Sequence, residues 1–148
     1  MPSPKKKLCR KCNREKFPRE FSKNKGTPDG RWYYCKECTN KYVRLRHRKI
    51  RLLVLEHYGE SRCACCGESR IEFLAIDHIN GGGYKHHKER KWESISLWLF
   101  RRGFPEGYRV LCHNCNMALG FYGYCPHQKG STTGLTTGDK EPGDLAGG

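Results

Sequence analysis

What the chain lacks narrows it first. Nowhere in its 148 residues does an apolar run approach the roughly 20 residues that a membrane-spanning helix needs, so no membrane association is expected. Apolar residues make up only 36%, enough for one ordinary domain or two small ones. A barrel or a doubly wound sheet needs more chain than this. The segment Met1 to Arg10 is basic and contains proline, but no apolar stretch follows it; a signal peptide is not expected, and a reducing, cytoplasmic setting is. Acidic residues are also scarce, 15 Asp plus Glu against 29 Lys plus Arg, for a net charge of +14. Most of that excess lies before Gly59, and no acidic side chain occurs between Asn40 and Leu55. The last stretch, Lys129 to Gly148, is Gly, Thr, Asp and Pro with almost nothing apolar, and is expected to be disordered.

Cysteine, by contrast, is abundant. In a reducing compartment ten cysteines read as metal ligands or free thiols rather than as a disulfide framework. Eight of them form four Cys-x2-Cys pairs: Cys9/Cys12, Cys35/Cys38, Cys63/Cys66 and Cys112/Cys115. Each pair puts two thiolates on one tight turn, which is half the shell of a tetrahedral zinc. The four pairs therefore predict two structural Zn2+ sites. Cys65 and Cys125 are left over. Cys65 sits inside the third pair, but Cys63, Cys66 and the following Gly67 form the commoner knuckle.

The order of elements follows from the punctuation. Residues 1–40 read as a zinc module: a hairpin closed by metal, turning at Gly26 and at Pro28-Asp29-Gly30, with Phe17, Phe21, Trp32 and Tyr34 as its only core. From Lys36 to Tyr58 there is no Gly or Pro, so one long helix is predicted, with Gly59 as its stop and residues 41–60 as the basic link. Tyr42, Leu45, Leu52, Leu53 and Leu55 are its expected apolar face. Lys41, Arg44, Arg48 and Arg51, among other cations on it, are candidate phosphate contacts. Residues 61–127 read as a knuckle, a strand over Ile71–Ile79, a Gly-rich loop, a helix over Ser94–Arg102, a strand over Tyr108–Leu111, a second knuckle and a final helix from Asn116. Zinc would tie the ends of this ββα unit together. The fold class is thus small α+β. Lys85, His86 and His87 lie in a basic cluster of the insertion and are further candidate phosphate contacts. Trp92 and Trp98 are expected in the core.

One constellation suggests chemistry. Asp77-His78 ends the first strand of the second module, and Asn116 follows its last knuckle. A carboxylate and an amide oxygen suit a hard cation such as Mg2+ or Mn2+. A histidine with a reference pKa of about 6.5 can take a proton from water at neutral pH. Together these are the minimum for phosphodiester hydrolysis.

The residues that carry this pattern also carry a resemblance. Cys-x2-Cys-Gly (63–67), Leu-Ala-Ile-Asp-His-Ile (74–79) and Gly-Phe-Pro-Glu-Gly-Tyr-Arg-Val-Leu-Cys-x2-Cys-Asn (103–116) resemble the HNH, or His-Me finger, endonucleases of phages, and most nearly the recombination endonuclease VII branch. The first module is similar to a zinc module often found in front of such nucleases. The resemblance spans roughly residues 8–127. It implies a ββα-metal catalytic module in which His78 is the general base and Asp77 and Asn116 hold one catalytic divalent cation. It also implies Cys63, Cys66, Cys112 and Cys115 as structural zinc ligands, and DNA, double-stranded or branched, as substrate. A second copy of the chain, or a phage packaging or recombination protein, is the protein partner it suggests. Where many relatives carry an asparagine that helps orient the base, this chain has Gly107; a loop carbonyl or Asn80 is expected to take that role. The alternative, a zinc-ribbon nucleic-acid-binding protein without catalysis, predicts the same zinc and the same affinity for nucleic acid. It has no use for Asp77, His78 and Asn116.

Overall fold

The computed structural model describes residues 5–91 and 93–128. Trp92 and the tail from Lys129 lie outside them, and with them the expectations of a core tryptophan and of disorder.

The first module holds two short hairpins rather than one. β1 (Lys7–Leu8) pairs antiparallel with β2 (Glu15–Lys16), and β3 (Phe21–Lys23) pairs antiparallel with β4 (Arg31–Cys35). Only Phe21 among the expected aromatics is buried; it packs with Cys9 and Cys35, while Phe17, Trp32 and Tyr34 stay exposed. The reason is size. Strands of two to five residues have no second layer to cover them, and the alternation of β4 turns Trp32 and Tyr34 to the outside.

α1 (Lys36–Gly59) follows Cys35 without a break, so the expected boundary at residue 40 falls inside a helix. Its buried face is Ile50, Val54 and Leu55, with Tyr58 beside them at helical spacing. Tyr42, Leu45, Leu52 and Leu53, named for that face by composition, are exposed instead. The helix packs on the second module only through its last turns, which leaves residues 40–49 in solvent. Gly59 is not the stop. Glu60 takes the left-handed conformation (φ 49°) that ends the helix. Gly59 serves a close approach: a Cβ there would lie 2.7 Å from the Val110 Cβ.

The second module is built on β5 (Leu74–His78) and β6 (Tyr108–Cys112), antiparallel in unbroken register from Leu74 opposite Cys112 to His78 opposite Tyr108. Between them run α2 (Gly83–Arg90) and α3 (Ile95–Arg101), and α4 (His113–Tyr122) follows β6. The first strand is shorter than the apolar run, because Ile71–Phe73 forms a 3-10 turn. α3 is capped by Ser94, whose hydroxyl accepts from the Leu97 N–H. The basic insertion is helical rather than a loop. Leu55, Leu74, Val110 and Leu111 form one core with the cysteines; Ile50, Val54 and Leu99 form the other. The 103–108 segment is pinned between them: the Tyr58 hydroxyl donates to the Pro105 carbonyl at 2.6 Å, and His57 stacks on Phe104. Phe104 is held at φ 59°, a strained value for a bulky side chain. The outcome is a small α+β fold of two-stranded sheets and four helices among the described residues.

Candidate metal centres and a buried histidine pair

All ten cysteines are free thiols, and eight gather as the spacing predicts. The sulfurs of Cys9, Cys12, Cys35 and Cys38 lie within 4.8 Å of one another, and so do those of Cys63, Cys66, Cys112 and Cys115. Each set can hold a zinc ion. Both use the same local device: a strand delivers the third cysteine at the N-cap of a helix and the fourth in its first turn, Cys35 and Cys38 on α1, Cys112 and Cys115 on α4. Backbone N–H groups already point at the sulfurs, from Cys35 to Cys9 Sγ (3.2 Å), Cys65 to Cys63 Sγ (3.4 Å) and Cys115 to Cys112 Sγ (3.4 Å). Burial works against ionising Cys9 and Cys63, but backbone N–H groups, of Cys35, Cys12 and Lys11 at the first and of Cys66, Cys112 and Cys65 at the second, outweigh it and bring both thiols down to about 6. Such thiolates are prepared for a metal.

His78 ends β5, and its ring meets another histidine. His78 Nε2 and His86 Nδ1 share a hydrogen bond of 2.7 Å. His86 is only 8% exposed, so it does not stand among the solvent-facing cations where the sequence puts it. The turn that brings it inward needs Gly81 and Gly82, both at positive φ (72° and 83°), after which α2 lays His86 over β5. Tyr108 flanks both rings and Trp98 packs on His86 at 4.2 Å between centroids. Trp98 is thus a wall of this pair as much as a core residue. The Tyr108 hydroxyl lies 3.4 Å from the same His86 Nδ1. Either ring can carry the shared proton; with it on His78 Nε2, His78 Nδ1 keeps a free lone pair, and His86 Nε2, buried without a partner among the described residues, carries the other. Gly83 stands beside that atom: a Cβ on it would come within 3.3 Å of Nδ1. Burial lowers the pKa of His78; the Asp77 charge opposes this and Arg90 adds to it. His86 is lowered too, by burial first and then by His78 and Arg90.

The other expected site residues are placed as follows. Asp77 is half-buried and its Oδ2 accepts from Arg109 Nε at 2.8 Å, its neighbour across the hairpin. Asn116 is half-buried on the first turn of α4, which packs on both strands. Among the described residues no hydrogen bond joins Asn116 to Asp77 or His78, and every group of three or more His, Cys, Asp or Glu side chains placed to share an ion is rich in cysteine. Asn80 is exposed, and His86 holds the His78 ring instead. The loop is tied at Gly107 by backbone alone, with the Ile79 N–H donating to its carbonyl at 3.0 Å; its φ of 99° suits glycine and little else.

Of the cationic candidates, Lys41, Arg44, Arg48, Lys85 and His87 are exposed, and none forms a salt bridge among the described residues. Arg51 differs. Its Nη2 donates to the carbonyls of Ile71 (3.1 Å) and Leu74 (2.7 Å), so it fastens α1 to the start of β5 rather than facing a ligand. Sequence reasoning misses three participants. Its basic neighbours place His86 on the outside, and His127 and Cys125 have no evident partner. A histidine two residues after a spare cysteine is the signal available for the last two. Comparison with protein-family models, with curated proteins and with solved structures finds no match in any of the three. No helix among the described residues is long and apolar enough to cross a membrane.

Proposed function

We propose that the chain is a metal-dependent DNA endonuclease of the HNH, or His-Me finger, type, with two structural zinc ions. The observation that carries this reading is the His78–His86 pair. A hydrogen-bonded, partly buried histidine at a strand end, with one ring nitrogen fixed and the other left free beside a glycine, is a costly arrangement for a protein that only binds. It is what a general base requires.

In this reading His78 Nδ1 takes the proton of the attacking water. Its lowered pKa keeps it neutral, and therefore basic, at pH 7. His86 acts through His78 as a positioning residue, holding the ring by the Nε2–Nδ1 hydrogen bond. Asp77, through the oxygen that Arg109 leaves free, and Asn116 are the residues that would hold a Mg2+ or Mn2+ ion. Such an ion, which keeps several waters and takes few protein ligands, supplies charge stabilisation at the scissile phosphate. The exposed cations of α1 and α2 grip the phosphate backbone of duplex or branched DNA, which gives affinity without sequence readout. Action in the cytoplasm of a phage host, and pairing with a second copy or with a packaging or recombination protein, belong to the same proposal. Cutting both strands would be simplest with two active sites, hence with a second copy.

The zinc-ribbon alternative has one observation in its favour: Asp77 is already paired with Arg109. Plasmid nicking decides between the two. The zinc-loaded chain is assayed with and without added Mg2+ or Mn2+, beside His78→Ala. Loss of supercoiled DNA that needs the added ion and vanishes in the variant is the expected result. Tight DNA binding with no cleavage under any condition would leave the binding-only protein.

A further inference from the structure

The second zinc cluster does not use up the ligands around it. Cys65, Cys125 and His127 converge on Cys115, and their ligand atoms and its sulfur all lie within 4.8 Å of one another. His127 Nδ1 is 3.3 Å from Cys115 Sγ and 3.5 Å from Cys125 Sγ. A zinc with bonds of about 2.3 Å to sulfur and 2.0–2.1 Å to nitrogen has tetrahedral edges of about 3.8 Å between sulfurs and about 3.6 Å from sulfur to nitrogen. These separations fit that tetrahedron, as does the 3.6 Å between Cys66 and Cys112 sulfurs in the neighbouring set.

The chain is shaped to bring these groups back. After α4, Gly123 takes a left-handed turn (φ 72°), Cys125 is 1% exposed, and a 3-10 turn over Pro126–Gln128 swings the His127 ring onto the sulfurs. Cys115 itself is wholly buried. Cys115 Sγ and Cys125 Sγ thus both face one imidazole nitrogen. As ligands of one ion all three atoms are satisfied.

We propose that Cys65, Cys115, Cys125 and His127 form a third zinc site, sharing the Cys115 thiolate with the Cys63/Cys66/Cys112/Cys115 site, so that the second module carries a thiolate-bridged zinc pair. Cys115 has one sulfur, so filling both sets makes it the bridge. The added ion displaces the thiol protons of Cys65 and Cys125: one Zn2+ enters, two H+ leave, and the net charge of the cluster is unchanged. The pair would staple the segment after α4 to the Cys63–Cys66 turn. The proposal stands independently of the nuclease reading.

The test is metal content and connectivity of the full chain purified with zinc. Native mass spectrometry should count three zinc ions per chain, falling to two in Cys125→Ser and in His127→Ala. The second variant removes an exposed ligand and leaves the buried sulfurs in place, so it reads the site even where the first fails to fold. With 113Cd replacing zinc, two of the three cadmium resonances should be split by coupling through the shared sulfur, and Cys125→Ser should abolish the splitting. Two zinc ions in the wild-type chain overturn the proposal. So do three ions retained in both variants, or a cadmium spectrum without coupling.

Discussion

The two cysteine clusters are built by the same rule and embedded in different surroundings. In each, a knuckle meets a strand that runs into a helix, with the third and fourth ligands at the N-cap and in the first turn. Around the first, the buried apolar residues among those described are Cys9, Phe21 and Cys35, with Thr27 buried beside them as a polar one. The second joins a core with Leu55, Leu74, Val110 and Leu111, and carries α2 and α3 inserted between its strands. What differs is therefore not the metal chemistry but what apolar packing adds to it. A ligand set without a core can hold a shape and present a surface. One with a core can also part-bury a polar pair such as His78–His86.

The strongest way to break this contrast is to remove one ligand at a time. Cys9→Ser should unfold residues 7–35 almost completely, because a structural zinc supplies on the order of 10 kcal/mol and so small a core supplies little in its place. Cys112→Ser should leave β5 and β6 partly collapsed on α1. Hydrogen exchange on the two variants checks this; equal loss of protection in both modules would show that the packing difference has no thermodynamic weight.

Next in size is the histidine pair. His78→Ala should lower cleavage by about 10^2- to 10^4-fold with zinc content and DNA affinity unchanged. His86→Ala should cost less and should also move the pH profile. Burial holds His78 below its ordinary value of about 6.5, so wild-type cleavage should stay on its plateau as pH falls to about 6.5 and decline only below it. Opening the pair to water raises the His78 pKa, so the acid limb of His86→Ala should lie at higher pH. An unshifted limb would make His86 merely structural. The same lowering has a stability counterpart. The unfolded chain takes up these protons first, so the contribution is full above about pH 6.5 and is lost as pH falls toward the lower folded values.

Smaller effects separate packing from binding on α1. Gly59→Ala forces a Cβ onto Val110 and should destabilise the second module by about 1–3 kcal/mol, read as a lowered unfolding midpoint. Neutralising Lys41, Arg44 and Arg48 should flatten the salt dependence of DNA binding by about 0.9 in log–log slope for each phosphate that these cations otherwise neutralise. Arg51→Gln should cost stability and leave that slope alone. If Arg51 moves the slope and Arg44 does not, the binding face lies elsewhere.

What can be read from residue order is whatever depends on near neighbours. The Cys-x2-Cys pairs, a strand from Tyr108, a helix after Ser94 and the long helix from Lys36 are local patterns, and the structure contains them. Asp77, His78 and Asn116 are legible as types of residue, not as an assembled set. The features that escape the sequence all depend on what lies opposite. Arg51 looks like its cationic neighbours until two carbonyls face it, and Gly59 looks like a terminator until Val110 does. His86 sits in a basic string, yet the double glycine before α2 turns it inward.

The length of α1 has a meaning in the units of the proposed substrate. Its 24 residues extend about 36 Å at 1.5 Å each, and B-DNA rises about 3.4 Å per base pair. The last turns of α1 are packed on the second module, so the stretch that stands clear is residues 40–49, about 15 Å or the rise of four to five base pairs. On the proposed substrate that stretch, with Lys41, Arg44 and Arg48 on it, would lie against the backbone between the two modules.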